Sequence, residues 1–327
     1  MPLRPPFFDN NAMWGIIVAL ILIFIVIPYV GMAFVMPPIV FNLVLKRRHE
    51  DNWSRNHPSD LKNEEMLAMW DQSLSFKKQN KQFESEIETT TSDGLHLKGL
   101  YYDFGSKTAV IIVPGRPESC IYSLHYAYPY RDKGINVCVI DTRAHGLSEG
   151  EYSGCAYAEK EDILAFAKTL HEKGIEKIIL HGICVGSGAI AFVLGNPHPS
   201  YIKGAVTDGL FHDFYSTMKR RIRRNHGIVY PTIFVFRHKI KKLYGVDIKK
   251  EGAFTLAQNF DVPFLMLASK KDIFSIPKET AFLFALNGSK EKEMVWFEEG
   301  AHSHLRITDH LRYDEAVYRL IDKVESL

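Results

Sequence analysis

The feature that most constrains this chain is the sequence Gly-Ile-Cys-Val-Gly at residues 182–186, which joins an apolar run to a stretch of small residues. The run Lys-Ile-Ile-Leu-His at residues 177–181 is typical of a buried strand, and the small residues that follow are typical of a closely packed helix. Flanking glycines let a strand turn sharply into a helix and project the central side chain above the end of a sheet. That side chain is the thiol of Cys184.

The region around this turn alternates between short apolar runs and helical stretches from Gln82 onward, which predicts a mostly parallel sheet with helices on both faces. Residues 83–91 and 95–102, joined by Ser-Asp-Gly, predict an antiparallel hairpin at the start of the sheet. Further strands are predicted at 109–113, 137–140, 177–181, 204–206, 264–267 and 294–297, and helices at 119–133, 156–173, 185–195, 276–287 and 311–325. We therefore expect an α/β domain with an eight-stranded sheet.

Two other motifs precede the turn. Val-Pro-Gly-Arg at residues 113–116 follows the third strand, and Asp-Thr-Arg-Ala-His-Gly-Leu-Ser at residues 141–148 follows the fourth. In this order the motifs resemble the α/β-hydrolase superfamily over residues 82–327, in particular bacterial members of the serine aminopeptidase and prolyl-oligopeptidase-like branch that carry an N-terminal membrane anchor. The resemblance implies the α/β-hydrolase fold, with a helical lid at about residues 209–258. Pro114 departs from the family's histidine.

The resemblance also implies a catalytic triad in the chain order nucleophile, acid, base. Cys184 stands where the family has serine, and it resembles dienelactone hydrolase in using cysteine there. Asp272 lies in a turn like the family's Gly-x-x-Asp-x-x-x-Pro, and His302 follows the last strand. Two alternatives stay open: His304 as the base and Asp208 as the acid.

Backbone groups complete the implied site. The N–H of Val185, directly after the nucleophile, and the N–H of Arg116, in the loop after the third strand, would form the oxyanion hole. Ser187 is one helical turn beyond Cys184, so we expect the helix to carry it away from the cleft. His145 and His181 occupy turn positions that the family uses for loop structure, and we expect structural roles for both.

The N-terminus carries 23 residues without formal charge, Trp14 to Met36, which is enough to cross the hydrocarbon layer as a helix. A secretory signal peptide is the competing interpretation, but only Arg4, against Asp9, precedes the run, and the stretch is long and has no small-residue cleavage site. Pro28, Gly31 and the pair Pro37-Pro38 are expected to kink or end the helix, and residues 39–45 to lie in the membrane interface.

The flanking charges and the cysteines bear on location. Three basic residues at 46–48 follow the apolar run, which favours a single-pass protein with its catalytic domain in the cytoplasm. The four cysteines lack disulfide or metal spacing and indicate free thiols in a reducing compartment. We divide the chain into an anchor (1–45), a juxtamembrane connector containing Trp53 (46–81) and the hydrolase domain (82–327).

The expected lid is unusually basic. Residues 214–242 hold nine Lys or Arg and no acid around an apolar centre at 228–236. One interpretation is a solvated helical cap; the other is contact with anionic lipid headgroups, with the apolar centre admitting an acyl chain. The basic residues are Lys219, Arg220, Arg221, Arg223, Arg224, Arg237, Lys239, Lys241 and Lys242.

These features predict a membrane-anchored hydrolase that cleaves an ester, thioester, lactone or related acyl bond of a small or lipid-like substrate, with peptide cleavage implied by the family as well. Two alternatives are a catalytically silent hydrolase fold that serves as a binding module at the membrane, and an acyltransferase with the same triad. We expect no cofactor, no metal and no nucleic-acid partner, because the sequence has no phosphate-binding loop, no cluster of metal ligands and no recognition module.

Overall fold

The computed structural model describes residues 10–48, 57–58 and 60–327. Most of the predicted connector before residue 60, including Trp53, lies outside the described residues, as do Arg4 and Asp9. The centre of the molecule is a sheet of eight strands in the order β1-β2-β4-β3-β5-β6-β7-β8. The pairs β1–β2 and β2–β4 are antiparallel, and every other neighbouring pair, including β4–β3, is parallel.

The strands occupy the predicted runs and extend some of them by one or two residues. Their bounds are β1 Glu84–Thr90, β2 His96–Tyr102, β3 Thr108–Val113, β4 Asn136–Ile140, β5 Lys177–Ile183, β6 Ile202–Asp208, β7 Phe264–Ser269 and β8 Lys292–Phe297. Strands β3, β4 and β7 are buried at every residue, as expected for a parallel sheet covered on both faces. The predicted fold class, an eight-stranded and mostly parallel sheet with helices, is confirmed.

Helices cover both faces of the sheet, and alternate residues of each strand separate the core into two layers. Ile111 on β3 packs in one layer and its neighbour Ile112 packs in the other. The helices are α1 Asn10–Ile21, α2 Ile27–Leu45, α3 Glu64–Gln79, α4 Tyr128–Asp132, α5 Glu159–Glu172, α6 Val185–Leu194, α7 Phe214–Arg224, α8 Val229–Tyr244, α9 Ala253–Leu256, α10 Pro277–Leu286, α11 Leu305–Thr308 and α12 His310–Glu325. Helices α5, α6 and α10 lie with the first layer, and α3, α4 and α12 lie with the second.

The N-terminal segment is one long helix, in which a π-helical turn, Leu22–Val26, joins α1 to α2. Residues Asn11–Leu45 form a helix long and apolar enough to cross a membrane, and its most apolar window is not buried against the protein. The prediction that Pro37-Pro38 kinks or ends the helix was wrong about its end. The helix continues through both prolines to Leu45, and Phe41 and Leu45 of its last turns are buried against the protein.

The last turns of α2 pack against the domain that contains the sheet, and the predicted position of residues 39–45 in a membrane interface stays a prediction. Phe41 and Leu45 are each only 1 % exposed. The Phe41 ring meets Phe236 of α8 edge-on, with centroids 5.1 Å apart. Backbone hydrogen bonds join the end of α2 to residues 151–153: Ser153 N–H donates to Leu45 O at 2.9 Å, and Arg47 N–H donates to Glu151 O at 2.7 Å.

Part of the predicted connector is also an ordered element of the domain. Asn63 caps α3 by accepting a hydrogen bond from Met66 N–H at 3.1 Å. The inner face of α3 buries Trp70 and Phe76, and Phe76 contacts Tyr102 of β2 with ring centroids 5.2 Å apart. The sequence analysis did not predict this helix.

The chain between β6 and β7 forms an insertion whose main helices are α7 and α8. Met218 and Ile222 of α7 and Phe236 of α8 are buried, whereas Tyr230 and Phe234 of α8 are 66 % and 67 % exposed. The insertion therefore has an inner apolar face toward the core and an outer face that carries exposed aromatic rings.

Candidate active site

Cys184 lies at the junction between β5 and α6 with an unusual backbone conformation. Its φ is +53° and its ψ is −109°, a region that L-amino acids rarely adopt. Such strain persists only where surrounding contacts hold it, and it is characteristic of functional turns. The strain aims the half-buried thiol away from the strand that carries it.

Close backbone contacts hold the turn in place. A Cβ on Gly186 would lie 2.1 Å from Val113 O, so only glycine allows α6 to approach the end of β3 this closely. Gly115, in the loop after β3, lies against Cys184, since a Cβ there would be 3.2 Å from Cys184 Cβ. The expected oxyanion groups, the amides of Val185 and Arg116, therefore belong to the two segments that flank the thiol. Val185 is the first residue of α6, where N–H groups have no intrahelical acceptor.

His302 and Asp272 meet after the last two strands of the sheet. His302 Nδ1 lies 2.6 Å from Asp272 Oδ2, and the side chains are 12 % and 4 % exposed. Asp272 Oδ1 accepts hydrogen bonds from the N–H groups of Phe274, at 2.7 Å, and Ser275, at 2.9 Å. The loop of His302 is held by the Tyr126 hydroxyl, which donates to Ser303 O at 2.7 Å. The carboxylate and ring are thus fixed relative to each other.

The other face of the His302 ring approaches Cys184. Burial lowers the pKa of His302, but negative charge on Cys184 and the contact with Asp272 outweigh it and hold the pKa well above its usual value. His302 Nε2 is buried and makes no hydrogen bond among residues 10–48, 57–58 and 60–327, and His302 lines the same pocket as Cys184. The structure thus places Cys184 and His302 on one pocket and Asp272 against Nδ1 of the His302 ring.

The two alternatives lie elsewhere. His304 Nδ1 contacts Glu65 Oε2 of α3 at 2.6 Å, so that ring is directed to a helix of the connector and not to Asp272. Asp208 is fully buried at the end of β6, where the Tyr313 hydroxyl donates to its Oδ2 at 3.3 Å. Burial raises the pKa of Asp208 to about 7, and the nearby His302 opposes the rise. Asp208 is therefore close to the histidine without making the short contact that Asp272 makes.

A further carboxyl group, Glu118, lies beside the candidate oxyanion loop and was missed in the sequence. Its N–H donates to Gly115 O at 2.9 Å, and its Oε2 is 3.6 Å from the position of a Cβ on Gly115. Burial raises the pKa of Glu118 to about 7, with His302 opposing the rise. The available signal was an acid three residues after Gly115 in a short loop.

The side chains expected to be structural make contacts of that kind. Ser187 is fully buried, and its hydroxyl donates to Gly182 O at 2.6 Å and to Asp208 O at 2.8 Å. His181 lies between the hydroxyls of Tyr130, at 3.1 Å, and Tyr313, at 2.9 Å. His145 Nδ1 donates to Arg143 O at 2.8 Å. None of these contacts is directed to Cys184.

A pocket of about 250 Å³ opens above Cys184 and His302. Its apolar wall consists of Phe211 and Phe214 from the insertion, together with Phe274, and Val44 of α2 closes one side. Arg48, Arg116 and Arg221 also line it. A larger depression of about 770 Å³, around Pro197 and Lys203, is lined by none of the residues of the triad.

The sequence is similar to a family of aminopeptidases and to a bacterial protein. Residues 105–236 match the family described as serine aminopeptidase, S33. An uncharacterized protein of Bacillus subtilis (strain 168), YqkD, is 23% identical over 240 residues, which are 71% of this chain and 77% of that protein.

Solved structures share the fold. An esterase of Pyrococcus furiosus, Pf2001, superposes with a TM-score of 0.62 and 20% identity, over 76% of this chain and 93% of the esterase. An acylaminoacyl peptidase of Pyrococcus horikoshii superposes with a TM-score of 0.54 and 16% identity, over 73% of this chain and 40% of the peptidase. Together with the strand order, these likenesses show that the protein has the fold of the α/β-hydrolases.

Proposed function

We propose that this protein is a membrane-anchored hydrolase that cleaves an ester, thioester, lactone or related acyl bond through Cys184, His302 and Asp272. The observation that carries the proposal is the His302 ring, which lies 2.6 Å from Asp272 Oδ2 on one side and beside the strained Cys184 on the other. A nucleophile, a base and a group that orients the base are the parts that acyl transfer requires.

The reaction proceeds in two halves. Cys184 Sγ gives its proton to His302 Nε2, a transfer that the raised pKa of the imidazole favours, and the thiolate then attacks the carbonyl carbon. Asp272 holds the ring through Nδ1 and stabilises its positive charge. The tetrahedral adduct collapses as His302 returns the proton to the leaving alcohol, thiol or amine, which leaves an S-acyl enzyme. Water then loses a proton to His302 and attacks the thioester carbonyl. The second adduct collapses by breaking its C–S bond, which releases the acid and leaves the Cys184 thiolate beside protonated His302.

The negative charge of the adduct develops beside the start of α6. The amides of Val185 and Arg116 would hold that oxygen, and the positive end of the α6 dipole adds to their effect. Glu118 is adjacent to this loop, and with a pKa of about 7 it carries a proton for part of the time near neutral pH. When Glu118 is protonated it adds no negative charge near the oxyanion, whereas an ionised Glu118 would repel the oxyanion.

The membrane anchor is part of the proposal. The helix Asn11–Leu45 would span the bilayer, and the three basic residues 46–48 would place the catalytic domain in the cytoplasm. Protease added to intact cells is then expected to spare the C-terminal domain. Digestion of that domain would contradict the proposed orientation and place the domain outside the cytoplasm.

The activity is tested with the full chain in neutral detergent, because Phe41, Leu45 and Phe76 are buried and a shorter fragment would lose them. Aryl esters and thioesters of increasing acyl length are offered to the wild type, to Cys184→Ala and to the control Ser187→Ala. We expect turnover by the wild type and loss of turnover with Cys184→Ala. Equal rates in wild type and Cys184→Ala would refute the assignment of the nucleophile.

Two alternatives are separated by the same preparation. A silent binding module would turn over none of these substrates, and Cys184 would react with iodoacetamide no faster than a free thiol in solution. An acyltransferase would form the same acyl enzyme but would transfer the acyl group to an added alcohol or amine in preference to water.

A further inference from the structure

The pocket above Cys184 is positively charged on the side of the anchor. Arg48, Arg116 and Arg221 line it, and no carboxylate is among its described lining residues. The arginines come from three separate segments: the chain just after α2, the loop after β3, and α7 of the insertion. Guanidinium groups at the wall of a pocket can bind a carboxylate or a phosphate with charge-assisted hydrogen bonds.

The charges affect one another in the absence of substrate. Burial, together with repulsion from Arg48 and Arg221, lowers the pKa of Arg116 to about 10, while Cys155 and Glu159 act in the opposite direction. Neutral groups hold two of the arginines: Arg116 donates to Lys46 O at 3.2 Å, and the Arg221 guanidinium lies 5.7 Å from the centroid of the Phe274 ring. The pocket thus presents cationic groups at its walls.

Other arginines of the insertion provide a contrast. Arg220, next to Arg221, forms two hydrogen bonds with Glu279, at 2.7 and 2.9 Å. Arg237 is paired in the same way with Asp247, at 2.6 and 2.5 Å. Arg221 pairs with no carboxylate among the residues that the structure describes. Arg221 thus lines the pocket without a carboxylate partner among the described residues, unlike its neighbour Arg220.

The anchor forms part of the pocket wall. Val44 belongs to α2, and Arg48 follows its end by three residues. Upstream, the same helix exposes a run of large apolar side chains, with Phe34 77 % exposed, and Tyr230 and Phe234 of the neighbouring α8 are exposed as well. If the helix spans a bilayer, the pocket lies at the membrane surface, where its arginines meet lipid headgroups.

We propose that the acyl substrate is an anionic amphiphile, whose phosphate or carboxylate binds Arg48, Arg116 and Arg221 while its scissile carbonyl lies at Cys184, and that it enters from the bilayer surface. The proposal rests on the proposed acyl hydrolysis. It assigns the anchor a direct part in substrate binding, and it assigns the basic insertion residues two roles, with Arg221 in the site and Arg223 and Arg224 outside it. Guanidinium groups suit such ligands because they bind phosphate and carboxylate with paired hydrogen bonds.

The first test uses matched water-soluble esters, a 4-nitrophenyl ester of an acid with a terminal carboxylate and the same compound with that carboxylate methylated. We expect kcat/KM of the full chain to be at least about tenfold higher for the anionic ester. Arg221→Gln should remove most of this preference, which is measured as the ratio of kcat/KM for the anionic ester to kcat/KM for the neutral ester. The control Arg224→Gln lies on the same helix outside the pocket and should retain the preference.

The outcomes separate the anion site from the activity itself. Cys184-dependent hydrolysis of both esters at equal rates would leave the proposed function intact and overturn the anion site. If neither ester is hydrolysed, the proposed function is contradicted. Binding at the anion site is then measured from the rate at which iodoacetamide alkylates Cys184. Decyl phosphate should slow this alkylation more than decanol does, and Arg221→Gln should abolish the difference; equal protection would overturn the site.

The source of the substrate is tested with vesicles. The full chain in vesicles of phosphatidylglycerol should release fatty acid faster than in vesicles of phosphatidylcholine, and Arg48→Gln should reduce the difference. A preference for the soluble anionic ester without hydrolysis of either vesicle lipid would retain the anion site and overturn entry from the bilayer.

Discussion

Replacement of Gly209 by alanine should disable the active site through a single methyl group. Gly209 follows β6 with φ of +70°, and a Cβ there would lie 2.7 Å from His302 Cε1 and 3.0 Å from its Nδ1. Carbon atoms in contact stay about 3.5–4.0 Å apart, so the ring would have to move by roughly 1 Å. The backbone cannot easily withdraw, because the Ser275 hydroxyl donates to Gly209 O at 2.7 Å and Ser275 belongs to the loop of Asp272.

A shift of about 1 Å in a catalytic group costs on the order of 10²-fold in rate, which corresponds to about 2.7 kcal/mol of activation free energy. The backbone of an alanine at positive φ costs a further ~1–2 kcal/mol of folding stability. Gly134→Ala is the matched control, since Gly134 has the same φ of +70° and a Cβ there would meet nothing within 4 Å.

The assay compares kcat on an aryl ester and the free energy of unfolding for both variants in detergent. Similar losses of stability are expected, with the large loss of kcat confined to Gly209→Ala. If Gly209→Ala kept kcat within about twofold of Gly134→Ala, the position of His302 would not matter for the reaction as the structure indicates.

Three further results are expected. Asp272→Asn should lower kcat by roughly 10²–10⁴-fold. Because Asp272 helps to raise the pKa of His302, its loss should also shift the imidazole titration, measured by NMR, to lower pH. The loss of folding stability relative to wild type should be largest below about pH 6.5 and should shrink as pH rises through the raised pKa. An unchanged titration would contradict that assignment. Glu118→Gln should match wild type in stability near pH 4.5 and exceed it by on the order of 1–3 kcal/mol above pH 7, because the wild type must then ionise a buried carboxyl whose pKa is about 7; a variant that is less stable at pH 8 would refute this cause. Phe41→Ala should cost about 3–5 kcal/mol of unfolding free energy in detergent, against less than about 1 kcal/mol for the exposed Phe34→Ala; equal losses would show that α2 does not dock on the domain.

The parts of the fold that were predicted from sequence are those with a strong local signal. Buried strands such as 109–113 are continuous apolar runs, and the turn at 182–186 is marked by its glycines, so both have the expected bounds within about two residues. The helix α3 was missed because its buried side chains, among them Trp70 and Phe76, are separated by polar residues and become a pattern only against the sheet.

The parts of the site that sequence could not supply depend on contacts between distant segments. Arg48 lines the pocket only because Phe41 and Leu45 hold the end of α2 on the insertion, about 200 residues further along the chain. Glu118 matters because a loop folds it against Gly115 and His302, and nothing in its neighbours indicates that burial. The choice between His302 and His304 likewise depended on Glu65, a residue of the connector.

The identity of the nucleophile can be measured directly. The full chain is mixed with 4-nitrophenyl butyrate, quenched with acid within a turnover, digested and examined by mass spectrometry. The account predicts a butyryl group on the peptide that contains Cys184, and its absence in Cys184→Ala; the other cysteines, Cys120, Cys138 and Cys155, are buried and should stay unmodified. Turnover without an adduct on Cys184, or an adduct that persists on another residue in Cys184→Ala, would contradict the claim that this thiol carries the chemistry.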